Sequence, residues 1–499
     1  MGDFLLPYMT ENGSLETGSE RWQEAERVTK QIMREFRPTT MAERKRLEVI
    51  DFIEELLRRN LGINVLAYGS VPLKTYLPDG DIDLTVSGLV NDNTINDIAS
   101  LLESEKKNSS ESFVINDVKF VDAKVKLVKC IVDSIVVDIS FNQIGALCKL
   151  CFLEQIDRVV GENHLFKESI ILVKAWCYYE SRTLGAHAGL ISTYGLEILV
   201  LYIFNVFRRL LNGPLSVLYT FLKYFSEFDW DNDCISIVGP VRKSYLPRIV
   251  AERPPNSHDL MLQGDFLRYC FDVVYVPKSG GSGFPVKHFN IIDPLKNDNN
   301  LGRSVSEASY NRIRSAFGYG AKDLCRILMG QQDNLDDELR HFFSNTLTLQ
   351  TVGQRHSLLG STTSEEPLDL TGNWNDHLAS LNYARRRCVH TPAPLSLPTT
   401  IRNEFHHFQN QMLRTRPPFG LEAPNPYGAL RRLPQPHAQR VVPKPFSHRS
   451  RLQNPNLFSL AERVYVPILP FPSRRRNNNY RFRGQSSSYH LKDNDDDAI

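Results

Sequence analysis

Two aspartates, Asp81 and Asp83, stand one residue apart in YGSVPLKTYLPDGDIDLTV (68–86), between Gly80 and an apolar run. Residues i and i+2 of a strand point to one face, so a strand over 81–86 would aim both carboxylates the same way. Like charges that close are costly in a half-buried site unless a cation lies between them. Divalent magnesium, which takes carboxylate oxygens together with substrate phosphates, is the matching partner. Two metals about 4 Å apart would clamp an in-line phosphoryl displacement. A third carboxylate, Asp138, lies mid-run in SIVVDISFN between Val137 and Ile139 and needs a partner there. If its strand neighbours the first, the three aspartates form one cluster. Upstream, Gly69-Ser70 closes another strand candidate and offers backbone N–H groups and a hydroxyl to a phosphate. From these residues alone, turn-bonded loop aspartates or a calcium site remain open alternatives.

The elements that must position these residues can be read from periodicity. Apolar spacing in 20–60 (Val28, Ile32, Phe36, then Leu47, Ile50, Ile53, Leu56, Leu57) predicts amphipathic helices. Strands are expected at 63–68 and 82–86, a helix at 91–102 and a polar loop at 106–112. Two β-rich runs, 118–130 and 135–141, flank Asp133-Ser134 and read as a hairpin. After residue 145 the texture changes to long apolar helical patterns at 168–180, 190–211 and 214–225. KSGGSG (278–283) is a loop, and a further helix is expected near 336–344.

Composition divides the chain. Residues 385–499 hold 19 Lys+Arg against 7 Asp+Glu, a charge of +12, while the rest holds 40 against 50, a charge of −10. That last segment also carries more than half of the 28 prolines, the signature of a basic, disordered arm that meets nucleic acid or an acidic surface. Its arginine clusters lie at 385–387, 431–432 and 474–476 and in NNNYRFRG, where arginine interleaved with Tyr480 and Phe482 suits phosphate contact and base stacking. The alternative there is a solvated linker or, at 474–476, a nuclear-import signal. Of the eight cysteines, Cys148 and Cys151 make the one C-x-x-C, without a second pair for zinc. Buried thiols in a reducing compartment, cytoplasm or nucleus, are expected. The start of the chain lacks the basic and apolar regions of a signal peptide. The apolar segment 189–207 passes for a membrane span by hydropathy, but Glu197 and two tyrosines favour a core helix and no membrane.

In sequence order these motifs carry a resemblance. GS, ten residues and DID, followed by VDISFN, resembles the DNA-polymerase-β-like nucleotidyltransferases, within them the poly(A) polymerase and terminal uridylyltransferase branch. ILVKAWCYYES, GLISTYGLEILVLYIF and IIDPLKNDNNLGRSV extend it over about 25–330. The resemblance implies an α+β fold: a small mixed-sheet nucleotidyltransferase domain plus a mainly helical PAP-associated substrate-binding domain, with a disordered C-terminal tail. The implied division is an N-terminal helix at 1–40 packing on the helical domain, the catalytic domain at 41–145 and the helical domain at 146–330. An unassigned extension at 331–384 and the basic tail at 385–499 follow.

The resemblance also implies an activity: template-independent addition of a nucleoside monophosphate, adenylyl or uridylyl, to an RNA 3′ end with release of pyrophosphate. Two Mg²⁺ or Mn²⁺ ions would lie on Asp81, Asp83 and Asp138, with Asp138 helping to deprotonate the 3′-hydroxyl. Gly69 and Ser70 would hold the triphosphate and Lys174 would reach it. Thr193 would touch the phosphates, Tyr194 would stack on the base, and Asp293 and Asn299 would read the base edge. Partners are then a nucleoside triphosphate and an RNA 3′ end, with an RNA contact through the Arg-rich tail; the oligomeric state is left open.

The chain departs from the family pattern at Lys74, where glycine is common, at Lys149-Leu150, where an Asn-Thr pair contacts the ribose, and at Tyr178, where a second phosphate-binding lysine stands. Asn299 occupies the place of a histidine found in uridylyltransferases, which leans the base preference toward ATP. The rivals are another acceptor for the same chemistry, or a degenerate nucleotide- or RNA-binding adaptor. Three mutually repelling carboxylates argue against the adaptor.

Overall fold

The computed structural model describes residues 20–106, 113–123, 125–252, 260–262, 264–274, 283–330, 334–348, 366–388 and 463–465. Helix α1 (Glu20–Met33) buries Val28 and Ile32, and α2 (Thr40–Leu61) buries Val49, Ile53 and Leu57. The Thr39 side chain caps α2 by accepting from the Ala42 N–H, and Gly62 ends it in the left-handed conformation with φ 65°. These adjacent helices serve different cores. The apolar face of α1 belongs to the large helical core, whereas that of α2 joins the core of the sheet.

The first sheet contains β1 (Val65–Tyr68), β2 (Ile82–Val86), β3 (Ile115–Val121), β4 (Leu127–Val132) and β5 (Ile135–Phe141), in the order β1-β2-β5-β4-β3. The short helix α3 (Ser70–Leu73) follows β1, and α4 (Asp92–Glu105) follows β2 with an Asn91 cap. β2 and β5 pair in parallel, with Asp83 opposite Asp138; the other pairings are antiparallel. The hairpin turn at Asp133-Ser134 joins β4 to β5, both residues having positive φ. The expected strand 118–130 is instead two strands, β3 and β4. The polar residues around Asp122 interrupt a run that would be unusually long for one strand.

The second core is mainly helical. It contains α5 (Ile144–Val160), α6 (Leu165–Ala175), which continues as a π-helical turn over Trp176–Glu180, α7 (Thr193–Phe207) and α8 (Pro214–Glu227). The expected helix 190–211 is shorter at both ends: Ser192 caps α7 through the Gly195 N–H, and a 3₁₀ turn follows Phe207. Periodicity did not reveal a four-stranded antiparallel sheet, made of β6 (Asp233–Ser236), β7 (Gly239–Arg242), β8 (Val250–Glu252) and β11 (Arg463–Tyr465). Its strands of three or four residues are too short for an alternation to stand out. Between β8 and β11 come α9 (Gly264–Val273), the β9 (Ile292–Asp293) and β10 (Lys296–Asn300) pair, α10 (Glu307–Met329), α11 (Leu335–Phe342) and α12 (Trp374–Arg387).

Two expectations for the C-terminal part are corrected. Arg385, Arg386 and Arg387, read as tail, are the last turn of α12, which packs on α5. Residues 463–465, also read as disordered tail, pair with β8. The remaining arginine clusters of the tail lie outside the described residues. Among the described residues no helix is long and apolar enough to cross a membrane; α7 is a core helix with Glu197 buried in it.

Candidate active site

The parallel β2–β5 register sets Asp83 and Asp138 side by side, and Asp81 enters β2 one residue before its start. Ligand oxygens of all three lie within 4.8 Å of one another, the one such group of potential metal ligands among the described residues. Burial, then the charges of Asp81 and Asp138, push the Asp83 carboxyl up to about 7. Burial also raises Asp138, opposed by Lys129, whose Nζ is 2.9 Å from Asp138 Oδ1. This unfavourable concentration of negative charge is what a divalent cation would relieve. The backbone is shaped around it: Gly69 has φ 77°, and a Cβ there would lie 2.5 Å from Asp83 Oδ2. The three donors and the glycine clearance therefore fit a metal site.

Gly69 is followed by Ser70, the first residue of α3. Above this turn, from the helical side, comes Lys174 in the last turn of α6. Its Nζ donates to the Thr75 carbonyl at 3.2 Å, and the side chain is buried. Burial lowers the Lys174 pKa, while Glu197, Asp81 and Asp83 act to raise it. Glu197 is itself raised to about 7 by burial, with Lys174 and Lys149 opposing. Lys174 is thus a cation between the acidic cluster and a helix-borne carboxyl.

A second group lies at the start of α7. Thr193 is exposed, and Tyr194 follows it into the structure. The Tyr194 hydroxyl is 3.5 Å from Asp293 Oδ1, which also accepts from the Leu295 N–H at 3.0 Å. Asn299 Nδ2 donates to Asp293 Oδ2 at 2.8 Å, and Asn299 Oδ1 accepts from Arg303. Lys149 Nζ sits over the Tyr194 ring, 4.4 Å from its centroid.

The expected residues therefore fall into two groups, Asp81, Asp83, Asp138, Gly69, Ser70 and Lys174 in one, and Thr193, Tyr194, Asp293 and Asn299 in the other. Lys149, noted above as a departure, belongs to the second. Tyr178 is half-exposed and edge-on to Tyr179, whose hydroxyl donates to Asp79 at 2.5 Å. Lys74 does not face the phosphate turn as a free cation; its ammonium is engaged by backbone carbonyls near residue 370.

Sequence reasoning missed Lys129 and Glu197 as parts of the electrostatics. Lys129 had a signal: counting outward from the two-residue turn Asp133-Ser134 pairs it with Asp138, the register observed. Glu197 had none beyond being a carboxylate in an apolar helix.

Two family models match this chain. Residues 26–154 match the central palm domain of the mitochondrial-like poly(A) RNA polymerase, and residues 160–347 match the PAP/OAS1 substrate-binding domain. The chain belongs to the poly(A)-polymerase-like nucleotidyltransferases, and its fold is the α+β arrangement described above. No curated protein matches it. Among solved structures, a cytoplasmic RNA terminal U-transferase is similar at 19% identity, over 64% of this chain and 98% of the other, with a TM-score of 0.44. Cid1, described for its RNA terminal uridylyl transferase activity, is similar at 17% identity over 63% and 97%, with a TM-score of 0.46. Cid1 in complex with its short product ApU is similar at 18% identity over 63% and 98%, with a TM-score of 0.44.

Proposed function

We propose that the protein transfers a nucleoside monophosphate from a triphosphate to the 3′-hydroxyl of RNA, without a template, releasing pyrophosphate. One observation carries this reading. Asp81 just before β2, Asp83 within it and Asp138 of β5 bring their oxygens within 4.8 Å of one another, with the Gly69 turn against Asp83 and the buried Lys174 among the charges acting on it. An adaptor would gain nothing from that repulsion, since a binding site for nucleotide is easier to build without it.

Two Mg²⁺ or Mn²⁺ ions held by Asp81, Asp83 and Asp138 would neutralise the charge that develops on the phosphate oxygens. The chain's own residues do the rest. Gly69 and Ser70 present N–H groups and a hydroxyl to the triphosphate. Lys174 supplies a fixed positive charge on the same side, and because it is already desolvated it loses little further hydration on binding. Asp138 takes the proton of the 3′-hydroxyl at its carboxylate. In the second group, the Tyr194 ring packs on the base, Thr193 faces the phosphates, and Asp293 accepts from a base N–H.

Asn299 engages both ends of its amide, with Asp293 and with Arg303, so its part is to fix the Asp293 acceptor for base reading. Asn299 stands where uridylyltransferases of the resembled family carry a histidine, and ATP is the triphosphate we propose. RNA beyond the 3′ end is held in part by arginines of the basic tail, which offset the acidic body. Eight free cysteines suit the reducing cytoplasm or nucleus.

The test is extension of labelled oligo(A) with Mg²⁺ or Mn²⁺ and each triphosphate separately, beside an Asp81→Ala/Asp83→Ala variant. Extension by the wild type alone, fastest with ATP, is the expected result. Absence of both extension and metal-dependent triphosphate binding would favour the adaptor.

A further inference from the structure

The nucleotide groups described above come from two cores, so their spacing depends on how those cores are fixed to each other. The chain passes between the cores at 37–39, between α1 and α2, and at 142–143, between β5 and α5, and the turn after β1 contributes to both, Val71 and Tyr76 to the sheet core and Leu73 and Leu77 to the helical core. Residues 366–388, which lie beyond both family models, touch both crossings.

At the first crossing, Thr39 and Pro367 form an antiparallel bridge. The Thr40 N–H donates to the Glu366 carbonyl at 3.2 Å, and the Leu368 N–H to the Pro38 carbonyl at 3.1 Å. At the second, Cys388 Sγ is 3.2 Å from Asn142 Oδ1. Asn142 also joins Gly88 in both directions, as donor and as acceptor.

Between these ends, successive carbonyls alternate between two lysines, Lys74 and Lys167. Lys74, just after α3, donates to the carbonyls of Asp369 and Thr371 at 2.8 and 2.7 Å. Lys167 of α6 donates to the intervening Leu370 carbonyl at 2.8 Å and is held by Glu154 at 2.9 Å. Lys167, Glu154 and Leu370 are buried. A Cβ on Gly372 would fall 2.2 Å from the Glu154 carboxylate oxygens, so the strap lies directly on this ion pair. Beyond it, α12 packs on α5, and the Tyr383 hydroxyl accepts from Asn64 Nδ2 at 3.0 Å, just before β1.

We infer that 366–388 is a strap that locks the sheet core to the helical core, and that Lys74 is the positioning residue through which it holds the Gly69-Ser70 turn. Lys74 has φ 62°, and its N–H closes α3 on the Ser70 and Val71 carbonyls. Its ammonium is anchored in the strap, and its backbone fixes the far end of the four-residue helix that starts at Ser70. An untethered Lys74 frees that helix without touching the three aspartates. The structural part of this inference is independent of activity; its kinetic part rests on the nucleotidyl-transfer reading.

The experiment uses the full-length protein, its Lys74→Met variant, which keeps the stem and loses the ammonium, and Lys74→Arg. Hydrogen exchange read by mass spectrometry reports the strap, and steady-state extension reports the site. In Lys74→Met the amides of Thr40 and of 368–371 should exchange roughly tenfold faster while those of β2 and β5 keep their protection. The triphosphate KM should rise roughly tenfold with kcat within about twofold, and Lys74→Arg should recover both readouts. Wild-type protection at 38–40 and 368–371 in Lys74→Met overturns the strap. Raised KM with unchanged protection overturns positioning in favour of direct contact with the triphosphate. Should the wild type prove inactive, the exchange arm still decides the strap, and only the function reading fails. Lys167→Met is unsuitable, since it removes the 2.9 Å ion-pair partner of the buried Glu154.

Discussion

Replacing Asp83 with asparagine is expected to stabilise the metal-free protein while abolishing nucleotidyl transfer. The wild-type carboxylates of Asp81, Asp83 and Asp138 have oxygens within 4.8 Å of one another. At that separation two unit charges repel by roughly 3.5 kcal/mol at an effective dielectric of about 20. Lys174 and Lys129 offset part of this, and solvent at the cleft screens more, which leaves a gain of about 2 kcal/mol for the variant at pH 8. The matching rise in Tm is on the order of 5 °C.

The sign follows from linkage. Burial and the neighbouring charges of Asp81 and Asp138 push Asp83 from 3.8 up to about 7 in the folded protein. The unfolded chain therefore holds fewer protons across that window, and stability falls as pH rises through it. The Asp83→Asn variant has no proton to lose at this position, so its advantage should vanish near pH 4 and be complete above pH 7. Thermal melts in EDTA and in excess Mg²⁺ or Mn²⁺, at acid and alkaline pH, read all of this together. Metal should raise the wild-type Tm and leave the variant nearly unmoved. A variant that melts below the wild type in EDTA at pH 8, or one that keeps the metal-induced rise, would refute the reasoning that repulsion here is relieved by a cation.

Gly69→Ala should lower kcat/KM by about 100-fold or more, because its Cβ meets Asp83 Oδ2 and its φ disfavours any side chain; wild-type kinetics would contradict the proposed cradle. Glu26, buried where it accepts from the Leu215 and Ser216 N–H groups at 3.1 and 2.7 Å, is pushed by burial from 4.5 to about 7. Its contribution makes stability fall between those two pH values by up to about 3 kcal/mol, and Glu26→Gln should flatten that slope in urea titrations at pH 5 and pH 8. Changing Arg474, Arg475 and Arg476 to alanine should reduce the slope of log affinity against log salt for single-stranded RNA by about 2; an unchanged slope would remove the tail cluster from RNA binding.

Much of the sheet and its acidic residues was legible because the information is local. The DID spacing sets two carboxylates at the entry to a strand, and the apolar run around Asp138 marks a strand with one polar position. The Asp133-Ser134 turn even encodes the register that brings Lys129 to Asp138. The three- and four-residue strands β6, β7 and β8 gave no usable periodicity, and their sheet was missed. The boundary at residue 385 failed for a different reason: three consecutive arginines read as a solvated arm, whereas they terminate α12, with Arg385 donating to the Val273 carbonyl at 3.0 Å.

By itself, then, the sequence determined the residue types of the acidic site, the strand that begins at its first two aspartates, and the Gly-Ser turn upstream of them. It did so because strand periodicity and turn chemistry act over a few neighbouring residues. The tertiary structure alone decided which cation faces which group. Lys74 stood where the family commonly has glycine, beside the proposed phosphate turn, yet its ammonium is anchored 295 residues away at Asp369. Lys149 stood in a ribose-contact position, yet it lies on the Tyr194 ring. A long flexible lysine can satisfy its charge with any acceptor within reach, and packing of distant segments determines which acceptors those are.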